Sequence, residues 1–554
     1  MDIYEYIVLG GGPAGIQMAY FLEKNQSSYL LLEHGSHSGT FFKKFPKHRT
    51  LISVNKSYCT HSKIQPTIEN TLRYDWNSLL QDIDEDDYLL FSKYTDSYYP
   101  SADLLVTYLN DFINKYNLNI QTNTTIIHVN KHHNLYEIHC IYDNKPITYL
   151  CEKLLIATGL QPKTITIKNN HPNILYYESM PVHKDFYKHK NILILGGGNA
   201  AFETANFIND VANEIILCGG EKFAWNTHYP GNIRSINMKI LDSYYLKLKV
   251  NLDWTNTKYL RYDDKLNYYI NLIEQNLIWN FPIDYVIVCL GFKPALDYLN
   301  TESIPLTLSK QGFPILTPFY ESVSCKNIYF LGALSQEHDY KHGTSAFIHG
   351  FRYNARVLSH YLKNTFNMKQ FLNLVDLNHY LIEEINTSSQ LLHRFDFHGH
   401  IILMHQNSVN VLHDMPLELL SNIHLLVSLF HINIDQLQSS IIATIYLGYD
   451  KRNPFYSTFR QPQTGNPKYM DNSVFIHPIL KYYKYDSIQT KLQCVHEVHL
   501  PEQGFNVFRG NVYHYEMMLR YWIICTYVIS KDIKTTEECF KEYHSLIKFM
   551  YHHF

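Results

Sequence analysis

Gly10, Gly12 and Gly15 lie between a short apolar run, Tyr6–Leu9, and a stretch of helix-favouring residues that begins at Pro13 and Ala14. A G-x-G-x-x-G turn between strand and helix can hold the phosphates of a nucleotide. Its first glycine permits the tight turn, its second lets backbone approach a pyrophosphate, and its third lets the helix lie close on the strand. Unpaired N–H groups at the helix start then face the anion, where the helix dipole also favours negative charge. The next apolar run ends in Glu33, at about the 20-residue spacing at which a carboxylate takes the hydroxyls of an adenosine ribose. Gly39 and Thr40 follow closely enough to join the same site.

The grammar repeats. A strand over Asn191–Leu195 leads into Gly196 and Gly198, with Asn199 and Ala200 opening a helix and Ala201 in the place of the third glycine. Beyond the next strand, Glu214–Cys218, Lys222 can meet a ribose 2′-phosphate and Glu221 a 2′-hydroxyl, so the choice between the two nicotinamide dinucleotides stays open. Arg234 is a further candidate for phosphate or for a structural ion pair. Three more apolar strands end in glycine: one at Thr158-Gly159, one at Gly291, and one running from Lys326 through Gly332. The last precedes a helix expected to start at Gly343–Ser345. Thr344 and Ser345 there read equally as caps and as donors toward a bound ring.

These elements need a large parallel framework, and the chain is long enough for it. At 554 residues it exceeds one hydrophobic core, so two or three domains are expected. With 45% apolar and 18% charged residues it reads as globular, and a net charge of −3 gives no electrostatic footprint for nucleic acid or an anionic membrane. The 9 cysteines are scattered, with no C-x-x-C, which argues for a reducing compartment and against a disulfide framework or zinc ribbon. The first strand begins almost at Met1, leaving no room for a secretory leader, and Tyr521–Ile529 is too short to span a bilayer, so the cytoplasm is expected. His128, His132, His133 and His139 lack carboxylates or thiolates at ligand spacing and read as exposed strand positions, not a metal site. His398–His400 read as solvated.

The order of strand, glycine turn, meander, Ala157-Thr158-Gly159, second glycine turn and returning strand resembles the two-dinucleotide flavoproteins, in particular the flavin-containing monooxygenase-like group. Segments Gly39–Lys56, Arg73–Leu80, Tyr98–Phe112, Thr122–Val129, Thr227–Asn237 and Ala346–Leu358 are similar to one branch of that group, over residues 1 to 360. The resemblance implies an α/β fold of two Rossmann-like domains, the NAD(P) domain inserted in the FAD domain, plus an α+β C-terminal domain. The expected boundaries are 1–165 with 306–362 for FAD, 166–305 for NAD(P)H, and 363–554 for a cap or interaction domain. It implies FAD at the first turn and NADPH, or NADH, at the second. It implies also that Asn55 matches the Asn placed beside the flavin's oxygen-reactive carbon, although an Asn between an apolar run and a polar loop also suits a turn.

Two departures stand out. The F-x-G-x-x-x-H signature of the monooxygenases is missing, with Tyr176, Tyr177 and Glu178 near the place of its His. The usual Gly-Asp of the late flavin motif reads Gly332-Ala333, which removes a hydrogen bond to the ribityl chain. Lys56 and Arg49 read as surface charges that could also reach phosphates. The expected activity is an FAD-dependent, NAD(P)H-consuming oxidoreductase, monooxygenase-like, acting with O2 on a small nucleophilic nitrogen or sulfur substrate. The alternatives are a flavin-binding protein-interaction factor with a protein partner on its C-terminal domain, and a plain NAD(P)H oxidase or reductase.

Overall fold

The computed structural model describes residues 3–56, 67–82, 87–164, 172–219, 227–229, 232–234, 237, 240, 243, 246–253, 257–262, 267–272, 277–366, 368–372, 374–405, 408–449 and 476–499. The chain divides into two compact units. The first comprises Met1–His61, Asp75–Tyr340 and Ser345–Arg356, and the second Ser62–Tyr74, Lys341–Thr344 and Val357–Phe554.

The first unit holds two sheets built on the two glycine turns. In one, β1 (Ile3–Leu9) pairs in parallel with β2 (Tyr29–Leu32) and β6 (Lys145–Ile156), and β2 continues to β3 (Ile120–Gln121). An antiparallel meander of β4 (Thr124–His132) and β5 (Leu135–Tyr142) extends β6, on whose parallel side Ile328–Phe330 returns. Helix α1 (Pro13–Lys24) crosses from β1 to β2. Tyr6–Leu9 are fully buried, as a continuous apolar run in a parallel strand covered on both faces must be. Helix α2 (Thr40–Lys44) follows β2, and α4 (Ala102–Tyr116) carries Leu105, Tyr108, Leu109 and Phe112 on its buried side.

The paired strands β7 (Leu160–Pro162) and Phe292–Pro294 carry the chain out of this sheet and back. Between them lies an all-parallel five-stranded sheet in the order Leu248–Asp253, β10 (Glu214–Gly219), β9 (Asn191–Leu195), Tyr285–Val288, β8 (Ile174–Tyr176). Helix α5 (Asn199–Ile208) packs Ala201, Phe202, Ala205 and Ile208 into its core. The insertion of one nucleotide fold into another is thus as the motif order implies.

The second unit is built on a six-stranded antiparallel sheet, Met368–Phe371, Ser408–Pro416, His398–His405, Ile441–Gly448, His477–Asp486 and Lys491–His499. Helix α7 (Leu374–Thr387) supplies Leu377, Leu381 and Ile385 to the core on that sheet. Expectation and structure part at its edges in sequence. Residues 62–74, including helix α3 (Ile68–Leu72), and residues 341–344 group with this unit although the chain around them builds the first. The long helix α6 (Ile348–Lys363) starts in one unit and ends in the other.

Helix α6 also starts later than its sequence implies. Gly343–Phe347 form turns, because the groups that would cap a helix there bond elsewhere: Ser345 N–H donates to Asp339 Oδ2 at 2.9 Å, and the Thr344 hydroxyl donates to the His393 carbonyl. His398 and His400, read as solvated, are buried, with His398 Nδ1 on Gln390 at 2.9 Å and His400 between Glu384 and Asp414. The alternation of the strand puts both on one side, where His398 meets Gln390 of the short helix Ser389–His393, and His400 meets Glu384 of α7 and Asp414 of the neighbouring strand.

Candidate functional site

The first crevice lies at the carboxyl ends of β1, β2 and β6. Gly10 takes φ +103°, and a Cβ on it would lie 2.6 Å from the Ala157 carbonyl oxygen. A Cβ on Gly15 would lie 2.0 Å from the Gly10 oxygen, so only glycine lets α1 sit this close on the turn. Around Gly12, by contrast, a Cβ would meet nothing within 4 Å, leaving its backbone open to a ligand. Gly12 is the N-cap of α1 and carries no side-chain cap; Pro13 stands next, and the free N–H groups of the first turn begin at Ala14. This geometry fits a pyrophosphate.

Glu33, buried at the end of β2, organises the loop around that turn. One carboxylate oxygen accepts from Gly11 N–H at 2.7 Å; the other accepts from Gly35 N–H at 2.7 Å and from the Thr40 hydroxyl. Gly39, at φ +79°, donates its N–H to the Gly11 carbonyl at 2.9 Å. A carboxylate has about four lone-pair directions, so one stays available for a ribose hydroxyl after these three bonds. Sequence spacing indicated Glu33 but not its hold on the loop, which depends on contacts made only on folding.

Thr158 and Gly159 close the far side. The Thr158 hydroxyl donates to the Ala295 carbonyl at 2.9 Å and contacts the Tyr298 hydroxyl at 3.0 Å, tying the end of β6 to the returning linker. Gly332 takes φ +64° against Ala14, where a Cβ would come within 2.8 Å of the Ala14 methyl. Ser345 joins a buried cluster in which Asn354 Nδ2 donates to Ser335 Oγ and Ser345 Oγ at 3.2 and 3.0 Å. Thr344 belongs to the second unit.

Asn55 is buried, donating its backbone N–H to the Tyr98 carbonyl at 2.9 Å and its amide to the Thr95 carbonyl at 2.6 Å. Beside it, Lys56 Nζ stands 3.9 Å from the centroid of the Trp76 ring. Arg49 is not a free phosphate ligand. Its guanidinium pairs with Asp103 at 2.8 Å and donates to the Phe42, Lys43 and Pro46 carbonyls, closing the end of α2.

The second crevice repeats the first at the ends of β9 and Tyr285–Val288. Gly196 takes φ +139°, where a Cβ would lie 2.2 Å from the Cys289 oxygen, while Gly198 is open. Asn199 Oδ1 accepts from Asn237 at 2.9 Å, and Ala201 is buried under the turn. Ala200 faces a cavity of about 170 Å³, lined also by Tyr177, Cys289, Gly291 and Phe292. Sequence reading missed the aromatic wall of this cavity: Tyr177 stacks on Phe45 at 5.5 Å, and Phe292 meets Phe45 edge-on at 5.3 Å. At the rim Lys44 pairs with Glu178 at 2.8 Å and Lys47 donates to the Glu178 carbonyl at 2.7 Å.

Helix α5 also carries Glu203, which burial alone raises to about 7 and which has no hydrogen-bond or ion partner among the described residues. The neighbouring Cys289 thiol is pushed up to about 12 by burial, which keeps it protonated and unreactive. His48 stacks on Phe207 at 4.3 Å and contacts Thr204 Oγ1 at 3.2 Å; burial lowers it to about 4, so it stays neutral. Lys222 lies outside the described residues, as do Glu221, Tyr521–Ile529 and the final histidines, and the side chain of Arg234 is likewise not described. Of the meander histidines, His128, His132 and His133 are exposed, and among the described residues no His, Cys, Asp and Glu group could hold a metal ion. Nor, among them, is any helix long and apolar enough to cross a membrane.

Comparison with known proteins places this geometry. Residues 7–332 match the family model for pyridine nucleotide-disulphide oxidoreductase. The chain is 32% identical over 525 residues to the mouse FAD-dependent oxidoreductase domain-containing protein 2, covering 87% of this chain and 76% of that one, and 31% identical over 539 residues to its zebrafish counterpart with the same coverage. Among solved structures, a flavin-containing monooxygenase from Stenotrophomonas maltophilia superposes with a TM-score of 0.50 at 17% identity, covering 66% of this chain and 99% of that one, a likeness of fold. The chain therefore belongs to the pyridine nucleotide-disulphide oxidoreductase family, on the branch of the FAD-dependent oxidoreductase domain-containing protein 2.

Proposed function

We propose that this chain is an NAD(P)H-consuming, FAD-dependent oxidoreductase of the monooxygenase-like kind, acting with O2 on a small nucleophilic nitrogen or sulfur compound. The observation that carries this is the pair of helix N-termini, at Gly12 and Gly198, each open beside its second glycine and joined through the two paired linkers. FAD supplies hydride acceptance and oxygen chemistry when bound. Gly10, Gly12, Ala14 and Gly15 would hold its pyrophosphate, Glu33 its ribose, and Gly39, Thr40, Thr158, Gly159 and Gly332 would enclose it. NADPH is the preferred donor, with NADH the alternative; Gly196, Gly198, Asn199, Ala200 and Ala201 would take its phosphates, and Tyr177 with Phe292 would exclude water from the cavity beside them.

The cysteines favour oxygen or a small organic acceptor over an internal disulfide. Of the six described cysteines five are buried and Cys494 is exposed, and the sequence holds no C-x-x-C. Asn55 would act as a donor at the flavin's edge, its amide oriented by the Thr95 carbonyl. The cytoplasm is the proposed compartment.

Purified protein should be yellow, be bleached anaerobically by NADPH, and after admission of air convert an added amine or thioether to its oxygenated product. Stoichiometric hydrogen peroxide with no oxygenated product would replace this by an oxidase. A yellow protein that neither nicotinamide nucleotide bleaches would leave the protein-interaction factor, and a folded protein that stays colourless with added FAD would refute the flavin assignment.

A further inference from the structure

Within the second unit, helix α7 carries a polar seam on an otherwise apolar face. Leu377, Tyr380, Leu381, Glu384 and Ile385 fall at i, i+3, i+4, i+7 and i+8, which sets all five on one stripe. The three aliphatic residues join the buried core against the sheet. Tyr380 and Glu384, one turn apart, meet polar side chains of the sheet instead. Alternation puts His400 on the side of Ile402 and His413 on the side of Val411, and both of those aliphatic residues belong to the core that α7 covers. A bulge then draws the two histidines together. Gly399 pairs with Met415 and Ile401 with Leu412, so His400 faces both His413 and Asp414, and Asp414 takes φ +56° there. The two imidazole rings lie 5.3 Å apart.

The hydrogens of this cluster run toward Glu384. Asp414 N–H donates to His400 Nδ1 at 3.1 Å, which leaves the ring hydrogen on Nε2, facing Glu384 Oε2 at 3.4 Å. The Tyr380 hydroxyl meets His413 Nδ1 and also reaches Glu384. One arrangement satisfies both contacts: His413 donates from Nδ1 to the Tyr380 oxygen, and Tyr380 donates to the carboxylate. Burial, with Glu384 and Asp414 beside it, raises the Tyr380 hydroxyl, which therefore keeps its hydrogen. Burial works against the charge on Glu384, but the bonds from His400 and Tyr380 hold its carboxyl below the usual range. The other charges at the seam are Glu383, beside Tyr380, and Lys369 of the strand Met368–Phe371, whose Nζ stands 4.1 Å from the centroid of the Tyr380 ring. For His413, burial, together with His400 and Lys369 and against the pull of Glu384, lowers the imidazole from 6.5 to about 4.

We propose that Tyr380, Glu384, His400 and His413 form an acid-sensitive latch that fastens α7 to its sheet at neutral pH and lets it go as His413 takes a proton, baring Leu377, Leu381 and Ile385. A proton on His413 sets a second cation beside Lys369 in a place with little water, whereas an imidazole freed into solvent takes it without that cost. The stability this group contributes is complete above about pH 6.5 and is lost as pH falls toward about 4. The latch concerns the second unit alone and does not rest on the proposed redox function.

Amide hydrogen exchange on the full chain, expressed as protection relative to the free-peptide rate at each pH, tests it. Between pH 7 and pH 5 the protection of α7 should fall about tenfold, short of the roughly twentyfold that a fully buried imidazole would give, while that of α1 in the first unit changes by less than about twofold. His413→Asn keeps a donor for the Tyr380 oxygen and cannot ionise, so its α7 should hold its protection within about twofold over the same range. Tyr380→Phe, the second variant should His413→Asn fail to fold, removes the hydroxyl between His413 and Glu384 and should lower the protection of α7 about fivefold already at pH 7. Three results overturn the latch: a wild-type α7 whose protection does not change with pH, an α7 and an α1 that lose protection together, or a His413→Asn chain that follows wild type. Where only Tyr380→Phe folds, protection equal to wild type at pH 7 overturns it.

Discussion

Replacing Glu203 by Gln should flatten the pH dependence of stability in the first unit. Burial raises this carboxyl from an ordinary value of 4.5 to about 7 in the folded chain, and no cation or donor among the described residues offsets it. The folded state therefore holds its proton more tightly than the unfolded state. Stability from this group is complete below about pH 4.5 and is lost as pH rises to about 7, beyond which the loss is constant. The rise from 4.5 to about 7, at about 1.4 kcal/mol for each tenfold in proton affinity, gives a ceiling of about 3.5 kcal/mol, reduced by the part of the carboxyl that still touches water. Gln keeps the shape and cannot ionise. Unfolding followed by urea at intervals from pH 4.5 to 8 should show wild type and Glu203→Gln nearly equal in their relative stability at the acid end. The variant should then draw ahead by 1–3 kcal/mol, on the order expected for a partly hydrated carboxylate, by pH 7.5. Curves that run parallel across the range would refute the assignment of a buried, uncompensated carboxyl on α5.

Gly15→Ala sets a methyl against the Gly10 carbonyl oxygen and should cost about 1–3 kcal/mol of stability together with most bound flavin, read from the ratio of absorbance at 450 and 280 nm. Glu33→Ala removes three bonds from the loop and should weaken FAD binding by about tenfold or more, measured by flavin fluorescence quenching; unchanged affinity would deny Glu33 any part in the site. Arg49→Met should lower the melting temperature by several degrees, a cost of about 2 kcal/mol, while leaving the Kd for FAD and the KM for NADPH within about twofold, because its guanidinium is spent on Asp103 and three carbonyls. Tyr177→Ala opens the aromatic wall of the second crevice and should raise the KM for NADPH more than it lowers kcat, with no loss of flavin colour.

Both nucleotide folds were legible in the sequence because their signals are local. Gly10, Gly15 and Gly196 are demanded by backbone contacts made within one strand–turn–helix unit, and apolar runs such as Tyr6–Leu9 are buried wherever a parallel strand is covered on both faces. The same locality explains the exposed meander histidines. What escaped had partners remote in sequence. Arg49 is claimed by Asp103 and by three carbonyls around α2, His398 and His400 are claimed by Gln390, Glu384 and Asp414, and the start of α6 is shifted by Asp339 and His393. Phe45, Tyr177 and Phe292, more than a hundred residues apart in turn, make one wall. Glu69, Leu72, Arg73 and Thr344 fall within the stretches expected for the flavin domain, yet they bond to Ser388–Arg394. Spacing along the chain determines which backbone can approach a phosphate; only the folded arrangement decides which side chains are already bonded, because a buried donor or acceptor takes whichever distant partner the packing brings within about 3 Å.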